Sequence, residues 1–467
     1  MAWGFSATVL LLLLLVVEGG GGVDCMEVVR SRRALQRKHH LRSRAESGAT
    51  ILELRHHSSG KKSREDEDDD VAGFLSSDAA RVSSLQRRVA GWSTEEDDDK
   101  ASVPVSSGAR LRTLNYVAAV GLGGGGGDDA TVIVDTASEL TWVQCAPCAS
   151  CHDQQDPLFD PASSPSYAVL PCNSSSCDAL RLAAATGSPS CDASSSDSSC
   201  SYTLSYRDGS YSQGVLARDK LSLAGEVIDG FVFGCGTSNQ GPFGGTSGLM
   251  GLGRSKLSLI SQTMDQFGGF FSYCLPLKES GSSGSLVLGD DTTVYRNSTP
   301  IVYTSMVSDP LQGPFYFVNL TGIAVGGQEV ESSGFSDGKV IVDSGTIITT
   351  LVPSVYNAVK AEFLSQFAEY PRAPGYSILD TCFNLTGFRE VQIPSLKFVF
   401  DGNVEVEVDS SGVLFSSDSS QVCLALASLK SDYETSIIGN YQQKNLRVIF
   451  DTLGSQIGFA QETCDYI

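Results

Sequence analysis

Two short acidic motifs of the sequence could carry out chemistry together. Asp135-Thr136-Ala137-Ser138 and Asp343-Ser344-Gly345-Thr346 each combine a carboxylate with hydroxyl side chains. Two carboxylates that lie close together do not both ionise readily, so they share a proton and titrate as a pair. One member can then act as a base and the other as an acid. This is the arrangement needed to activate a water molecule against a peptide carbonyl.

The segments around the two motifs indicate how they are positioned. Each motif directly follows an apolar run with strand propensity, Thr131–Val134 or Lys339–Val342. Farther along the chain, each is followed by two apolar residues and a glycine, Leu249-Met250-Gly251 or Ile437-Ile438-Gly439. This weak internal repeat predicts two related β lobes, each with one aspartate and an apolar pair, ending in glycine, that can pack beneath it.

Length and composition favour a mostly β protein of more than one domain. The chain has 467 residues and 48 glycines, and its serine-rich stretches are typical of surface loops. The clearest helical pattern runs from Pro353 to Phe367, with proline at its start and apolar residues at helical spacing. We interpret residues 109–305 as an N-terminal β lobe and residues 306–467 as a C-terminal β lobe.

The N-terminus has the features of a secretory signal peptide. Ala7–Val17 is an apolar run of eleven residues, whereas a membrane span needs about 20. Residues 1–24 are therefore predicted to be a signal peptide without a membrane anchor, and the protein to be extracellular, in the apoplast. A short membrane anchor, and location in a vacuole or plastid, remain alternatives.

Residues 25–108 differ from the rest of the chain. Arg30–Arg44 contains seven basic residues and no acidic one, Arg64–Asp70 is entirely charged, and hydrophobic periodicity is poor. This composition predicts a largely disordered, removable pro-segment whose basic part could cover an acidic cleft. A solvated linker is the alternative interpretation.

The charge of the remaining chain limits its partners. From Ala109 onward there are 18 basic and 37 acidic residues, a net charge of −19. So acidic a body argues against nucleic acid as a partner of the mature form. Protonation of carboxylates at low pH would relieve its self-repulsion, which suits an acidic compartment.

The cysteines indicate disulfides and an oxidising compartment. Setting aside Cys25 leaves an even number, and a signal peptide places them outside the reducing cytosol. The sequence leaves their connectivity open. The predicted disulfide cysteines are Cys145, Cys148, Cys151, Cys172, Cys177, Cys191, Cys200, Cys235, Cys274, Cys382, Cys423 and Cys464.

Other chemistries find little support. Cys145, Cys148 and Cys151 have a spacing seen in metal sites, but disulfides are favoured in a secreted chain. His152 is the only histidine after Ala109, which argues against a Ser-His-Asp enzyme and against a histidine-based zinc site. The glycine-rich stretch 121–126 precedes a strand rather than a helix, so it lacks a phosphate site. No cofactor or metal is predicted.

Together, these motifs resemble the pepsin-like aspartic proteases, specifically the plant nepenthesin-like branch, over Leu114–Ile467. Trp142 follows the first motif as in that family, and Tyr206-Arg207-Asp208-Gly209-Ser210 resembles its flap. The cysteine-rich stretch from Cys145 to Cys200 matches the insertion of the branch. The resemblance implies a bilobal fold with the active-site cleft between two related β lobes, no cofactor, and protein or peptide substrates.

The resemblance also implies roles for the residues of the two motifs. Asp135 and Asp343 would hold the nucleophilic water, with Gly345 as part of the second turn. Ser138 and Thr346 would donate hydrogen bonds to the outer carboxylate oxygens.

Further roles follow for the turns and the flap. Thr136 and Ser344 would tie the two loops together beneath the aspartates. Tyr206 would close over the substrate from the flap turn that contains Asp208 and Gly209, and Trp142 would support it by a hydrogen bond.

Two positions depart from the family pattern. Ala137 and Arg207 each replace a usual glycine. Alanine keeps the backbone N–H of its turn and is costly only where positive φ or very close backbone approach is required. Arg207 adds bulk and charge near the cleft.

Three functions are therefore considered. The first is an acid endopeptidase, expected to be a monomer. The second is a catalytically weak protease-like binding or inhibitor protein of the same fold, which Ala137 favours slightly and the two aspartates oppose. The third is a plastid nucleoid-associated protease that uses the basic stretch Arg30–Arg44.

Candidate glycosylation sites are the sequons at Asn173, Asn297, Asn319 and Asn384.

Overall fold

A computed structural model of the chain describes residues 50–56, 64–89, 113–123, 130–183, 191, 198–205, 210–224, 226–277, 284–290, 292–307, 315–416 and 421–464. The strands are, in chain order, β1 Thr50–His56, β2 Tyr116–Leu122, β3 Ala130–Asp135, β4 Trp142–Gln144, β5 Ala168–Val169, β6 Ser201–Ser205, β7 Tyr211–Leu223, β8 Glu226–Gln240, β9 Gly248–Gly251, β10 Phe270–Cys274, β11 Gly284–Leu288, β12 Val302–Ser305, β13 Phe317–Val325, β14 Gln328–Glu329, β15 Lys339–Val342, β16 Thr349–Leu351, β17 Arg372–Ala373, β18 Cys382–Asn384, β19 Leu396–Phe400, β20 Val404–Val408, β21 Leu414–Ser416, β22 Gln421–Leu424, β23 Leu426–Ser428, β24 Ser436–Ile438, β25 Leu446–Asp451 and β26 Gln456–Gln461. The α-helices are α1 Arg64–Val89, α2 Ser175–Ala183, α3 Leu259–Gln262, α4 Met264–Phe267 and α5 Pro353–Gln366. Short 3-10 helices cover Pro161–Ser163, Thr292–Val294, Ser333–Asp337, Ser410–Gly412 and Asn440–Gln443.

The mostly β architecture predicted from the sequence is confirmed. The largest sheet has 14 strands in the order β12-β26-β25-β10-β11-β1-β2-β3-β9-β4-β8-β7-β5, with β6 paired to β7. A second sheet of 8 strands runs β20-β19-β13-β15-β24-β16-β23, with β14 paired to β13, and a third of 4 strands runs β17-β18-β22-β21. The largest sheet therefore joins strands from both halves of the sequence.

The two predicted aspartate strands occupy equivalent places in the two larger sheets. β3 lies parallel to β9, with Val134 opposite Met250, and β15 lies parallel to β24, with Val342 opposite Ile438. All four of these side chains are buried. Each aspartate thus follows a strand held from the side by the apolar pair of the internal repeat.

The helix expected near Pro353 is confirmed as α5. Proline stands at its first turn, where a missing N–H costs nothing. The helix ends at Gln366, and Phe367 caps its last turn. Its buried face carries Val355, Tyr356, Val359 and Phe363, which pack onto the C-terminal half of the chain.

The prediction of a largely disordered pro-segment is wrong for two described stretches. Thr50–His56 is a strand paired antiparallel with both β11 and β2, and Arg64–Val89 is a helix. The buried apolar residues of α1 recur at helical spacing, at Phe74, Leu75, Val82, Leu85 and Val89. Burying this face against the body supplies the stability that the composition alone did not reveal.

Among the described residues, twelve cysteines form six disulfides, as predicted. The pairs are Cys145–Cys235, Cys148–Cys151, Cys172–Cys191, Cys177–Cys200, Cys274–Cys464 and Cys382–Cys423. Four of these disulfides involve the cysteine-rich stretch from Cys145 to Cys200. Cys274–Cys464 links strand β10 to the C-terminal end of the described chain, across 190 residues.

Several sequence predictions lie outside the described residues. These are the apolar run Ala7–Val17, the basic stretch Arg30–Arg44, Cys25, and the flap residues Tyr206, Arg207, Asp208 and Gly209. No described helix combines the length and apolar character needed to cross a membrane.

Candidate active site

The two aspartates are held by matching sets of hydrogen bonds. Both side chains are fully buried. The Ala137 backbone N–H donates to Asp135 Oδ1 at 2.9 Å, and the Ser138 hydroxyl donates to Oδ2 at 2.6 Å. The Gly345 N–H donates to Asp343 Oδ1 at 2.8 Å, and the Thr346 hydroxyl donates to Oδ2 at 2.6 Å. The two turns therefore present their carboxylates in the same way.

The two turns are also tied to each other beneath the carboxylates. The Ser344 hydroxyl accepts from the Thr136 N–H at 3.1 Å and donates to the Val134 carbonyl at 2.9 Å. The Thr136 hydroxyl accepts from the Ser344 N–H at 3.0 Å and donates to the Val342 carbonyl at 3.3 Å. These reciprocal bonds fix the relative position of two loops that lie 208 residues apart.

Two polar side chains that the sequence did not single out support the second turn. Asn440 donates from Nδ2 to the Ser344 carbonyl at 3.0 Å, and Gln443 donates from Nε2 to the Asp343 carbonyl at 3.3 Å. Both are buried; Asn440 directly follows the apolar pair and glycine of the second repeat, and Gln443 comes three residues later. Amide side chains just after this repeat are therefore a sequence signal that could have identified these two supporting residues.

Two positions of the site require glycine because neighbouring atoms lie too close for a side chain. A Cβ on Gly345 would lie 2.6 Å from Asp135 Cγ and 2.4 Å from Arg81 Nη2. A Cβ on Gly439 would lie 2.6 Å from the Ile347 carbonyl oxygen. The backbone of Ala137 does not adopt positive φ. Its amide makes the hydrogen bond to Asp135 that a glycine would make.

A side chain of helix α1 contacts both aspartates. Arg81 donates from Nη1 and Nη2 to the two oxygens of Asp135, at 2.9 and 2.7 Å. Its Nη2 also lies 3.0 Å from Asp343 Oδ2 and 3.2 Å from Asp343 Oδ1. Its Nε donates to the Thr346 hydroxyl and to Asp343 Oδ2 at 3.3 Å. A single guanidinium thus bridges the pair, with 16% of the side chain exposed.

With Arg81 bound between them, the two carboxyl groups have pKa values that are shifted in opposite directions. Burial would raise the pKa of Asp135, but the charge and hydrogen bonds of Arg81, together with the hydrogen bonds from Ser138 and the Ala137 amide, hold that pKa below its ordinary value. Burial and the neighbouring charge of Asp135 raise the pKa of Asp343 despite the attraction of Arg81. Asp135 is therefore the more acidic member of the pair while Arg81 is bound.

Two further side chains of α1 bind backbone groups beside the aspartates. Asp78 Oδ1 and Oδ2 accept from the backbone amides of Ile347 and Ile348, each at 2.8 Å. Burial raises the pKa of Asp78 to about 7. Gln86 pairs with Thr435, donating to its carbonyl and accepting from its N–H. Helix α1 is thus anchored on both sides of Arg81.

Trp142 lies behind the first turn. It is fully buried, and its ring packs edge-on against Phe243, with 5.0 Å between centroids. The indole Nε1 has no hydrogen-bond partner among the described residues, which exclude the predicted partner Tyr206. Phe243 also lines a cavity of about 70 Å³ beside Arg81 and Asp135. Trp142 therefore supports Phe243, which forms part of the cavity wall.

The sequons differ in exposure. Asn173, Asn297 and Asn384 are exposed, whereas Asn319 is half-buried and donates from Nδ2 to Asp401 at 2.8 Å. Glycosylation of these four asparagines stays a prediction.

Family models match both halves of the chain. The model described as "Xylanase inhibitor N-terminal" matches residues 116–290, and that described as "Xylanase inhibitor C-terminal" matches residues 315–461. These two ranges contain the first and second aspartate motifs.

Curated relatives extend over most of the chain. An aspartyl protease family protein of Arabidopsis thaliana is 41% identical, covering 84% of this chain and 81% of the relative. The aspartyl protease AED1 of the same plant is 37% identical, covering 83% and 80%. Aspartic proteinase nepenthesin-1 of Nepenthes gracilis is 36% identical, covering 72% and 75%.

Solved structures share the fold at low identity. Basic 7S globulin from soybean superposes with a TM-score of 0.57 at 21% identity, covering 75% of this chain and 92% of the globulin. Conglutin gamma from lupine seeds superposes with a TM-score of 0.59 at 17% identity, covering 88% and 94%.

Proposed function

The chain belongs to the plant aspartyl protease family, and from this membership we propose that it is an aspartic endopeptidase that hydrolyses peptide bonds at acid pH. Asp135 and Asp343 are its catalytic pair. The observation that carries this proposal is the matching hydrogen bonding of the two buried carboxylates, each with one backbone amide and one hydroxyl donor.

The position of Arg81 Nη2 indicates where the nucleophile would lie. This atom is within hydrogen-bond distance of both carboxylates, so it stands in for a water molecule shared between them. With Arg81 withdrawn, the ionised aspartate takes a proton from that water as the water oxygen attacks the peptide carbonyl carbon. The protonated aspartate donates to the carbonyl oxygen, which gives a carbon with two hydroxyl groups. The proton taken from the water then passes to the amide nitrogen as the C–N bond breaks, and one of the two hydroxyls returns its proton to the other aspartate, so that acid and amine are released and the pair regains its starting protonation.

We further propose that the N-terminal segment keeps the protein as an inactive precursor. Arg81 occupies the catalytic position, and Asp78 and Gln86 hold α1 across the cleft. The cleft cation is thus Arg81, a single residue of α1, rather than one from the predicted basic stretch Arg30–Arg44. Cleavage of the chain somewhere between about Asp97 and Leu114 would release this segment and free the cleft.

The remaining features of the proposal come from the sequence. The signal peptide, the disulfides and the sequons are consistent with a secreted, glycosylated plant protein. The acidic body favours protein or peptide substrates over nucleic acid. We propose a monomer that needs no cofactor.

A second candidate is a protease-like binding protein. The match to a family described as xylanase inhibitors favours it, as does Ala137 in the first turn. Retention of both aspartates with their donors favours the peptidase.

Digestion of a protein substrate at acid pH distinguishes the two candidates. The processed chain should cleave the substrate, and the aspartic protease inhibitor pepstatin should abolish cleavage. Absence of cleavage at every pH from 2 to 7 would reject the peptidase and favour the binding protein.

A further inference from the structure

The side chain of Gln443 binds the backbone that carries Asp343. Its Nε2 donates to the Asp343 carbonyl at 3.3 Å and to the Ile438 carbonyl at 2.9 Å. The Ile438 carbonyl also accepts from the Asp343 backbone N–H at 3.0 Å. The side-chain amide of Gln443 thus closes a small ring of hydrogen bonds that includes both backbone groups of Asp343.

The first aspartate turn is held in a different way. The Asp135 carbonyl accepts from the Leu252 backbone N–H at 2.9 Å. Leu252 directly follows the apolar pair and glycine of the first repeat, as Asn440 follows those of the second. A backbone donor is fixed by the course of the chain, whereas a glutamine side chain has rotatable bonds and needs a further contact to orient it.

The hydroxyl of Tyr273 supplies that further contact. It donates to Gln443 Oε1, and both side chains are buried. Burial, together with the nearby Asp343 and Tyr316, raises the pKa of Tyr273 well above its ordinary value, so the hydroxyl keeps its proton and stays a donor. With Oε1 bound to this hydroxyl, the amide presents Nε2 to the two carbonyls. Without the hydroxyl, Oε1 would lose that partner in a buried place, and the amide would be free to turn.

Tyr273 is itself held firmly. It lies on β10 in the largest sheet, opposite Leu286 of β11 on one side and Val448 of β25 on the other. The next residue, Cys274, is joined by a disulfide to Cys464. Tyr273 and Gln443 are 170 positions apart in the sequence, so a strand of the first half of the chain orients a side chain of the second half.

We propose that Tyr273 is a positioning residue of the peptidase, which acts on Asp343 through Gln443. The hydroxyl fixes the amide, the amide fixes the Asp343 backbone, and that backbone sets where the carboxyl group stands relative to Asp135. The proposal rests on the peptidase function proposed above. Since a displacement of about 1 Å near a reacting centre can cost about a hundredfold in rate, a smaller shift should lower kcat and leave peptide binding unchanged.

The variant Tyr273→Phe tests the proposal in the processed chain, because it removes the hydroxyl and keeps the buried ring. We expect kcat per active site, counted by titration with pepstatin, to fall at least threefold while KM stays within twofold. Tyr356→Phe is the matched control, since Tyr356 is also buried and its hydroxyl donates to Asp380 at helix α5. A fall of less than threefold in folded Tyr273→Phe, or an equal fall in the control, would overturn the proposal.

A double variant tests whether Tyr273 acts through Gln443. Gln443→Leu removes the amide that the hydroxyl orients. The double variant Tyr273→Phe/Gln443→Leu should therefore have a kcat within twofold of that of Gln443→Leu alone. A further fall of more than twofold would contradict the link. Tyr273→Phe alone still decides the proposal if Gln443→Leu does not fold.

Hydrogen–deuterium exchange separates this proposal from the catalytic one. The backbone N–H groups of Asp343 and Ser344 are both hydrogen-bonded, and mass spectrometry reports their exchange without any need for activity. In Tyr273→Phe, we expect exchange at least threefold faster in a peptide spanning residues 339–346 and unchanged exchange in one spanning residues 131–138. That result with an inactive unaltered chain would support the positioning of Asp343 by Tyr273 and reject the peptidase. Unchanged exchange around Asp343 would reject the positioning.

Discussion

Arg81 forms a two-point ion pair with Asp135, from Nη1 at 2.9 Å and Nη2 at 2.7 Å. The two residues lie 54 positions apart in the sequence and on different elements, α1 and the end of β3. A planar guanidinium matches a carboxylate in this way, which a lysine ammonium does not. Because Nη2 also reaches Asp343, one side chain occupies the position between both carboxylates.

Loss of Arg81 should weaken the latency of the precursor. Arg81→Gln removes the charge that binds the pair, whereas the contacts of Asp78 and Gln86 remain. We expect precursor activation on acidification to become at least tenfold faster, measured as the rate at which peptidase activity appears. Ser76→Ala, on the exposed side of α1, is the control and should activate at the unaltered rate. Equal rates for Arg81→Gln and the unaltered precursor would show that the ion pair does not maintain latency.

Asp78 should make the precursor less stable as the pH rises. Burial raises its pKa from 3.8 to about 7, so the folded state favours the protonated form. The stabilisation is fully present below about pH 4 and is lost as the pH rises through about 7. In an inactive Asp343→Asn precursor, thermal unfolding should therefore show Tm falling between pH 4 and 7. Adding Asp78→Asn should flatten that slope, and parallel slopes would contradict the pKa assignment.

Asp135 contributes with the opposite sign. Its pKa is held below the ordinary value, so its attraction to Arg81 is present above about pH 4 and is lost as the pH falls through the lowered pKa. Acid release of α1 thus depends on Asp135, while Asp78 opposes it. The cover predicted from the basic stretch Arg30–Arg44 contains no acidic residue and so includes no such opposition.

Removing the Ser344 hydroxyl should destabilise the fold. In Ser344→Ala the Thr136 N–H loses its acceptor and the Val134 carbonyl loses a donor, both in a buried place. We expect a loss of about 1–3 kcal/mol in the free energy of unfolding, measured by urea denaturation. Ser336→Ala also removes one hydroxyl hydrogen bond, but an exposed one to the Ser333 carbonyl, and should cost less than about 0.5 kcal/mol. Similar losses in both variants would contradict a special role for the link between the turns.

Ala137→Gly should change kcat/KM less than tenfold. The backbone of Ala137 is not in the positive-φ region, and its N–H already donates to Asp135 at 2.9 Å. Glycine would add backbone freedom without adding a hydrogen bond. Steady-state kinetics of the processed protein on one peptide substrate gives the comparison. A gain of a hundredfold or more would show that alanine impairs the first turn, and would favour the binding protein.

The sequence predicted best what is encoded in short contiguous stretches. Asp135 and Asp343 each stand at a strand end before hydroxyl residues. The glycine-terminated apolar pairs, which were predicted to pack beneath them, lie in the neighbouring strands β9 and β24 of the same sheets. The even cysteine number predicted disulfides, but their connectivity depends on contacts between residues as far apart as Cys274 and Cys464. Disulfide pairing over this range is set by tertiary packing, which local patterns do not encode.

Helix α1 escaped prediction for a physical reason. Asp78 and Arg81 lie among the apolar positions of its buried face, and they interrupt the hydrophobic periodicity. They are tolerated there because they meet backbone amides and carboxylates rather than apolar side chains. Polar residues within an otherwise apolar helical face therefore indicate that the helix contacts a polar site.

Peptide cleavage by three processed proteins tests the central claim most directly: the unaltered chain, Asp135→Asn and Asp343→Asn. Asp229→Asn, an exposed carboxylate with 79% of its side chain accessible, is the matched control. The account predicts acid-range, pepstatin-sensitive cleavage by the unaltered chain and the control, and a loss of at least a thousandfold in kcat for either variant of the pair. Substantial cleavage by either folded Asp135→Asn or Asp343→Asn would contradict it.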